Sequence, residues 1–276
     1  MELISEMLSY SFITRAFLVG ILVSLCAALL GVSLVLKRYS MIGDGLSHVS
    51  FGALSVALAM GFSPLPVSLP VVIIAAVLLL RLSETGKLRS DAAIALISSS
   101  ALAIGIIVTS LTSGLTADVD SYMFGSILAM SGDDVVLSVI LSIIVLGLYL
   151  VCYNKIFAVT FDESFSRATG VHVSFYNTLM AVLTAVTIVL GMRIMGALLI
   201  SSLVIFPALT AMRVFKSFRG VVICSAALSV AAFCVGMVVS YQYSTPVGAS
   251  VVLTNLGIFL AAALIGAIRE GKRKKI

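Results

Sequence analysis

The stretch AFLVGILVSLCAALLGVSLVL, Ala16 to Leu36, carries no charge and is closed at once by Lys37 and Arg38. A helix needs roughly 20 apolar residues to cross a bilayer, so this run suffices for one crossing. The paired cations behind it mark the side on which it ends. The same pattern recurs along the chain. Uncharged runs cover Val49–Leu80, Ala92–Ala117, Val135–Asn154, Val173–Met192, Ile194–Met212 and Gly220–Ile268, and the first and last of these are each long enough for two crossings. The expected architecture is an all-α polytopic transmembrane bundle of eight to nine spans, forming a single domain over residues 1–276.

Composition agrees. Hydrophobic residues make up 61% of the chain and charged residues 11%, with a mean hydropathy of +1.23. A soluble domain carries about a quarter charged residues, so a soluble fold is excluded. The net charge of +5 does not imply a nucleic-acid partner, because the cations sit in alternate connections. Lys37 and Arg38, then Arg81, Lys87 and Arg89, then Lys155 and Arg167, then Arg213, Lys216 and Arg219, and finally the tail Arg269–Lys275 all fall on one side. Only Arg15 and Arg193 are left on the other. The positive-inside rule then places the N-terminus outside and the C-terminus in the cytoplasm. Glu2 and Glu6 stand where a cleavable signal would carry cations, so the first span is expected to be retained. Cys26, Cys152, Cys224 and Cys234 have no CxxC spacing and read as small buried hydrophobes.

The spans are expected at Phe12–Leu36, from near Met41 to before Pro64, Pro66–Leu80, Ala92–Leu111 and Val135–Tyr153. Cytoplasmic connections follow at Arg81–Ser90 and Asn154–Val173. Later spans turn near Gly191–Gly196 and at Tyr241–Pro246. The second span is the informative one. Between His48 and Gly61 there are too few residues to cross at about 1.5 Å each, so its helix must start near Met41. That draws Asp44 and His48 into the membrane, in its cytoplasmic half.

Four residues apart, Asp44 and His48 share a helix face, and an ionisable residue inside a membrane is a functional candidate because burying it is costly. A carboxylate with an imidazole suits a divalent transition metal. The alternative is that Asp44 caps the helix and His48 sits at the interface. On the outer side, Asp118, Asp120, Asp133 and Asp134 either concentrate cations at an entrance or are ordinary solvated loop residues. The apolar insert between them, Tyr122–Met130, is too short to cross and return, and reads as an interfacial or re-entrant helix.

A third feature lies at Gly196–Arg219. An apolar helix is expected to end at Pro207, which lacks an N–H and clashes with the preceding turn, and to pass into a basic amphipathic stretch. There, helical spacing puts Met212, Phe215 and Phe218 or Arg219 on adjoining faces, flanked by Arg213 and Lys216. Such a segment is a handle for a soluble partner, or else a surface helix anchored to anionic lipid. Gly86-Lys87 and Gly271-Lys272 lack the rest of a P-loop, and neither HExxH nor GxSxG occurs. ATP hydrolysis and intramembrane hydrolysis by this chain are therefore not expected.

Four segments resemble the membrane permeases of bacterial ABC importers for zinc, manganese and sometimes iron. They are Lys37-Arg38-Tyr39-Ser40-Met41-Ile42-Gly43-Asp44-Gly45-Leu46-Ser47-His48, Tyr122-Met123-Phe124-Gly125-Ser126-Ile127-Leu128-Ala129, Gly196-Ala197-Leu198-Leu199-Ile200 continuing to Pro207-Ala208-Leu209-Thr210-Ala211, and Thr245-Pro246-Val247-Gly248-Ala249. One departure is Phe51-Gly52-Ala53, where most members carry proline-glycine soon after the histidine. The resemblance implies a permease homodimer in the bacterial cytoplasmic membrane, two ABC ATPase subunits that carry the ATP, and an extracytoplasmic metal-binding protein. It implies that Asp44 and His48 touch the transported metal and that Pro207–Arg219 docks on the ATPase. No cofactor is expected to reside in this chain. Zinc is the expected cargo, with manganese or iron as the alternative. A gradient-driven secondary cation transporter is the rival class; it accounts for Asp44 and the outer acids but not for the basic segment.

Overall fold

The computed structural model describes Met7 and residues 9–84, 90–112 and 132–273. Among these residues all regular structure is helical. The helices are α1 (Ser11–Leu36), α2 (Ile42–Ala59), α3 (Pro64–Glu84), α4 (Ser90–Leu111), α5 (Gly132–Phe161), the short α6 (Glu163–Ala168), α7 (Val173–Met192), α8 (Met195–Val214), α9 (Phe218–Tyr243) and α10 (Val247–Arg273). Nine of them are long and apolar enough to span a membrane. The expected turns near Gly191–Gly196 and Tyr241–Pro246 are present. At the first, Gly196 takes φ 80° and ψ 164°, a conformation that suits a residue without Cβ. A methyl group on Gly191 would lie 2.4 Å from Ile200 Cδ1, so the chain has reversed and α8 folds back on α7.

Two connections differ from expectation. α5 does not stop at Tyr153 but continues to Phe161, and α6 follows after one residue, so the loop expected over Asn154–Val173 is mostly helix. Lys155 interrupts the apolar run but is exposed, while Ile156 and Val159 beyond it are buried and keep the helix docked. α3 likewise runs past Leu80 to Glu84. The Tyr122–Met130 insert lies outside the described residues. α2 passes unbroken through Phe51-Gly52-Ala53.

The centre of the bundle is α1, α2, α7 and α8, while α4, α5 and α10 form the rim: the apolar core of α1 and of α2 is 72% buried, and that of each rim helix 22%. α1 is the axle. Its small residues admit other helices closely, as membrane helices require. A methyl group on Gly31 would fall 2.1 Å from the Val204 carbonyl oxygen of α8. From α9, Ser225 Oγ donates to the Ala28 carbonyl (3.3 Å) and Ser229 Oγ to the Ser24 carbonyl (3.0 Å), and Cys26 Sγ reaches the Ser142 carbonyl of α5 at 3.6 Å.

Candidate functional site

α2 starts at Ile42 because Lys37–Met41 turns the chain back at the end of α1. Arg38 N–H donates to the Val35 carbonyl (3.1 Å) and Tyr39 N–H to the Leu34 carbonyl (2.8 Å), with Arg38 at φ 63°. This is a Schellman-type stop with arginine at the position that favours glycine. From Ile42 to Ser55 every residue of α2 is buried except Asp44 and His48. Their side chains are 49% and 26% exposed, and His48 Nε2 lies 3.6 Å from Asp44 Oδ2. That spacing is outside a good hydrogen bond and pairs the two when the imidazole is protonated. Asp44 is not the capping residue: Met41 holds that position, and Asp44 stands in the first turn, where its charge complements the helix dipole.

The direction of this strip follows from its neighbours. Gly43 faces Ser201 and Val204 of α8, Gly45 faces Ile94 of α4, and the Asp44–His48 line falls between them. The strip therefore opens between α4 and α8. On α8, Leu198, Ser201, Ile205 and Leu209 form a line at helical spacing that is exposed at Leu198 and Leu209 and partly exposed between them. No group of three or more His, Cys, Asp or Glu residues able to hold a metal occurs among the described residues; Asp44 and His48 stand there as a pair.

The four acids expected at an entrance divide. Asp133 and Asp134 begin α5, placed to complement its dipole, whereas Asp118 and Asp120 lie outside the described residues.

The Pro207–Arg219 segment differs from expectation in three ways. Pro207 does not end a helix: α8 runs through it to Val214. The proline removes one backbone hydrogen bond, but Ala208, Thr210 and Ala211 are buried beyond it, and that packing holds the helix. Phe215 is not helical but extended (φ −114°, ψ 145°), and Ser217 caps α9 by accepting from the Gly220 N–H at 3.3 Å, so no single helix spans Met212 to Arg219. Finally, Phe218 points inward. It is buried against Phe157, Phe161 and Tyr153, with ring centroids 5.0, 5.8 and 5.6 Å away. Arg213 lies over the Phe259 ring of α10 at 4.9 Å. Arg213, Phe215, Lys216 and Arg219 are exposed, with Met212, Phe215 and Lys216 lining an open groove of about 370 Å³ together with Leu36 and Phe161.

One polar cluster escaped the sequence reading. Lys37 Nζ donates to Glu163 Oε1 at 2.7 Å and to Asn177 Oδ1, and Asn177 Nδ2 donates to Glu163 Oε1 at 3.2 Å. Burial raises the Glu163 pKa, but the hydrogen bonds from Lys37 and Asn177 and the charges of Lys37 and Arg167 bring it below its ordinary value. Asp162 just ahead, whose Oδ1 accepts from the Phe165 N–H at 2.8 Å, is a helix-start signal that the sequence did contain. Asn177, alone in an apolar run, gave none.

Residues 9–266 match the ABC 3 transport family. The chain is 28% identical to the manganese import system permease protein ScaB of Streptococcus gordonii over 100% of its own length and 99% of the relative's. It is 29% identical to the high-affinity zinc uptake system membrane protein ZnuB of Haemophilus influenzae, covering 89% of this chain and 94% of that one. Its fold superposes on a chain of PsaBC from Streptococcus pneumoniae, solved with a Fab, with a TM-score of 0.84 and 27% identity over 95% of this chain and 94% of that one. A bundle of apolar helices, the order of its motifs and a match over nearly its whole length place the chain in the bacterial inner membrane as a multi-pass permease that leaves ATP hydrolysis to a separate subunit: it belongs to the ABC 3 transport family.

Proposed function

We propose that the chain is the permease of an importer for divalent transition metal ions, that zinc is its first cargo with manganese as the alternative, and that Asp44 and His48 contact the ion in transit. The observation that carries this reading is the break in the buried stretch Ile42–Ser55 of α2. A helix sealed over four turns opens only where it carries a carboxylate and an imidazole. Imidazole favours zinc, while a carboxylate also suits manganese; the relatives named for manganese and for zinc are consistent with either.

Two ligands from one chain do not complete a metal site, so the remaining ones must come from elsewhere or from water. A second copy of the chain, laid on the partly exposed line of α8 beside the Asp44–His48 strip, would bring a second pair to the same axis. The working assembly is then a homodimer with two ATPase subunits and an extracytoplasmic binding protein, and the basic end of the bundle faces the cytoplasm. The ATPase docks on the α8–α9 junction, where Phe215, Lys216 and Arg219 are presented. The gradient-driven carrier has no use for that junction, and membership of an ABC transport family weighs against it.

The test is uptake of zinc and of manganese into proteoliposomes that hold the permease with its ATPase, in the presence of metal-loaded binding protein. Asp44→Asn and His48→Ala should each abolish most uptake while the complex still assembles. Normal uptake by both variants overturns the metal-contact reading. Uptake driven by an ion gradient without ATP overturns the transporter class.

A further inference from the structure

The five residues between α1 and α2 are held on two sides. Lys37 is tied to Glu163 of α6 and Asn177 of α7, and the Tyr39 hydroxyl lies 2.6 Å from Ser83 Oγ at the end of α3. Between these ties Arg38 sits at φ 63°, strained for a residue with a Cβ. Lys37 and Asn177, with Leu34, Tyr39, Ile42 and Met180, line a small cavity of about 30 Å³ beside the start of α2. Asp44 is in the first turn of that helix.

The charge pair contributes little as a stabiliser. Glu163 is 46% exposed, and exposed ion pairs gain little against screening and side-chain entropy. Lys37, only 12% exposed, is desolvated to make it. What such a pair supplies is register. Here the register lies between the end of α1, from which the turn into α2 leaves, and α6 with α7. α6 in turn follows Phe161 by one residue, and Phe161 packs on Phe218 and lines the groove with Phe215 and Lys216. A continuous set of contacts thus joins the α8–α9 junction to the turn that carries Asp44.

We propose that Lys37, Glu163 and Asn177 form a positioning latch through which movement of α6 at the basic end resets the Asp44–His48 strip, with Arg38 as the pivot. The latch rests on the reading above, in which the strip meets the metal and the junction meets the ATPase. None of its three residues touches the ion; they act through the Lys37–Met41 turn.

The experiment measures metal imported per ATP hydrolysed in the reconstituted complex. Lys37→Met, Glu163→Ala and Asn177→Ala should keep stimulated hydrolysis within about two-fold, while the metal-to-ATP ratio falls at least five-fold. The exchanged pair Lys37→Glu with Glu163→Lys should recover at least half of that ratio, which a merely structural role does not predict. Glu163→Gln, which keeps the shape and an acceptor for Lys37, serves where the larger changes fail to fold, and should show an intermediate ratio. An unchanged ratio in well-folded variants overturns the latch, as does uptake that falls in step with hydrolysis and with the amount of folded complex. Asp44→Asn in the same preparation separates the two ideas. Lost uptake there with an unchanged ratio in the latch variants removes the latch alone, and normal uptake there removes the reading beneath it together with the latch.

Discussion

α1 and α2 are equally buried, and their polar residues do opposite things. Along α1, the Ser24 and Ala28 carbonyls receive hydroxyl bonds from α9 and Cys26 reaches α5, so these three polar contacts are made inside the protein. Along α2, the two ionisable groups are the residues between Ile42 and Ser55 that the described residues leave partly exposed. A polar group turned inward in a membrane bundle serves packing; one left at an opening within the membrane is kept there at a cost, and points to cargo. Burial alone does not separate the two helices. The direction of their polar groups does, and on the proposed reading the α2 strip is the ion's path.

The largest effect that would break this contrast is on transport. Asp44→Asn and His48→Ala should each reduce uptake at least ten-fold without lowering the thermal unfolding temperature of the permease in detergent, whereas Ser24→Ala on α1 should leave uptake per folded complex unchanged. Next is packing. A methyl group on Gly31 meets the Val204 backbone oxygen at 2.1 Å, while one on Gly43 of α2 finds nothing nearer than 3.8 Å. Gly31→Ala should cost about 1–3 kcal/mol through overpacking, read as a lower unfolding temperature, and Gly43→Ala should be tolerated. Equal stability of the two variants would remove α1 from its central role.

Smaller losses are expected from the hydroxyls that reach α1. Ser225→Ala and Ser229→Ala should each cost about 0.6 kcal/mol, the usual worth of an interhelical hydrogen bond in a membrane bundle, and should be close to additive in detergent melts if the two bonds act independently. The smallest effect belongs to Glu163. Its folded pKa is lowered, so its contribution is complete above the ordinary glutamate value and is lost as pH falls through the depressed one. Unfolding temperature against pH should therefore fall slightly more steeply on the acid side in the wild type than in Glu163→Gln. Identical slopes would mean that the bonds from Lys37 and Asn177 do not favour the charged form in solution.

Much of this molecule was readable before any coordinates. Uncharged runs located the spans, since a bilayer core tolerates few charges, and the shortness of the stretch between His48 and Gly61 required α2 to begin near Met41. Helical spacing alone placed Asp44 and His48 on one face. Local signals were misread where packing outweighed them. Lys155 suggested the end of α5, yet Ile156 and Val159 carry it onward, and Pro207 suggested the end of α8, yet buried Ala208, Thr210 and Ala211 hold it. Periodicity drawn across Phe215 failed because it assumes one continuous helix, and the chain is extended there.

Span number, membrane residence and the Asp44–His48 pairing were thus determined by the sequence itself, because hydrophobic length and helical period are local properties of a chain. That the strip opens between α4 and α8, that Phe218 turns inward while Phe215 stays out, and that Lys37 meets residues far along the chain at Glu163 and Asn177 were decided only by tertiary structure. The physical reason is that inside a bilayer every helix is apolar on all sides, so hydrophobicity says that a helix is buried but not against what. Close approach of small residues and a few interhelical hydrogen bonds make that choice, and both depend on partners distant in sequence.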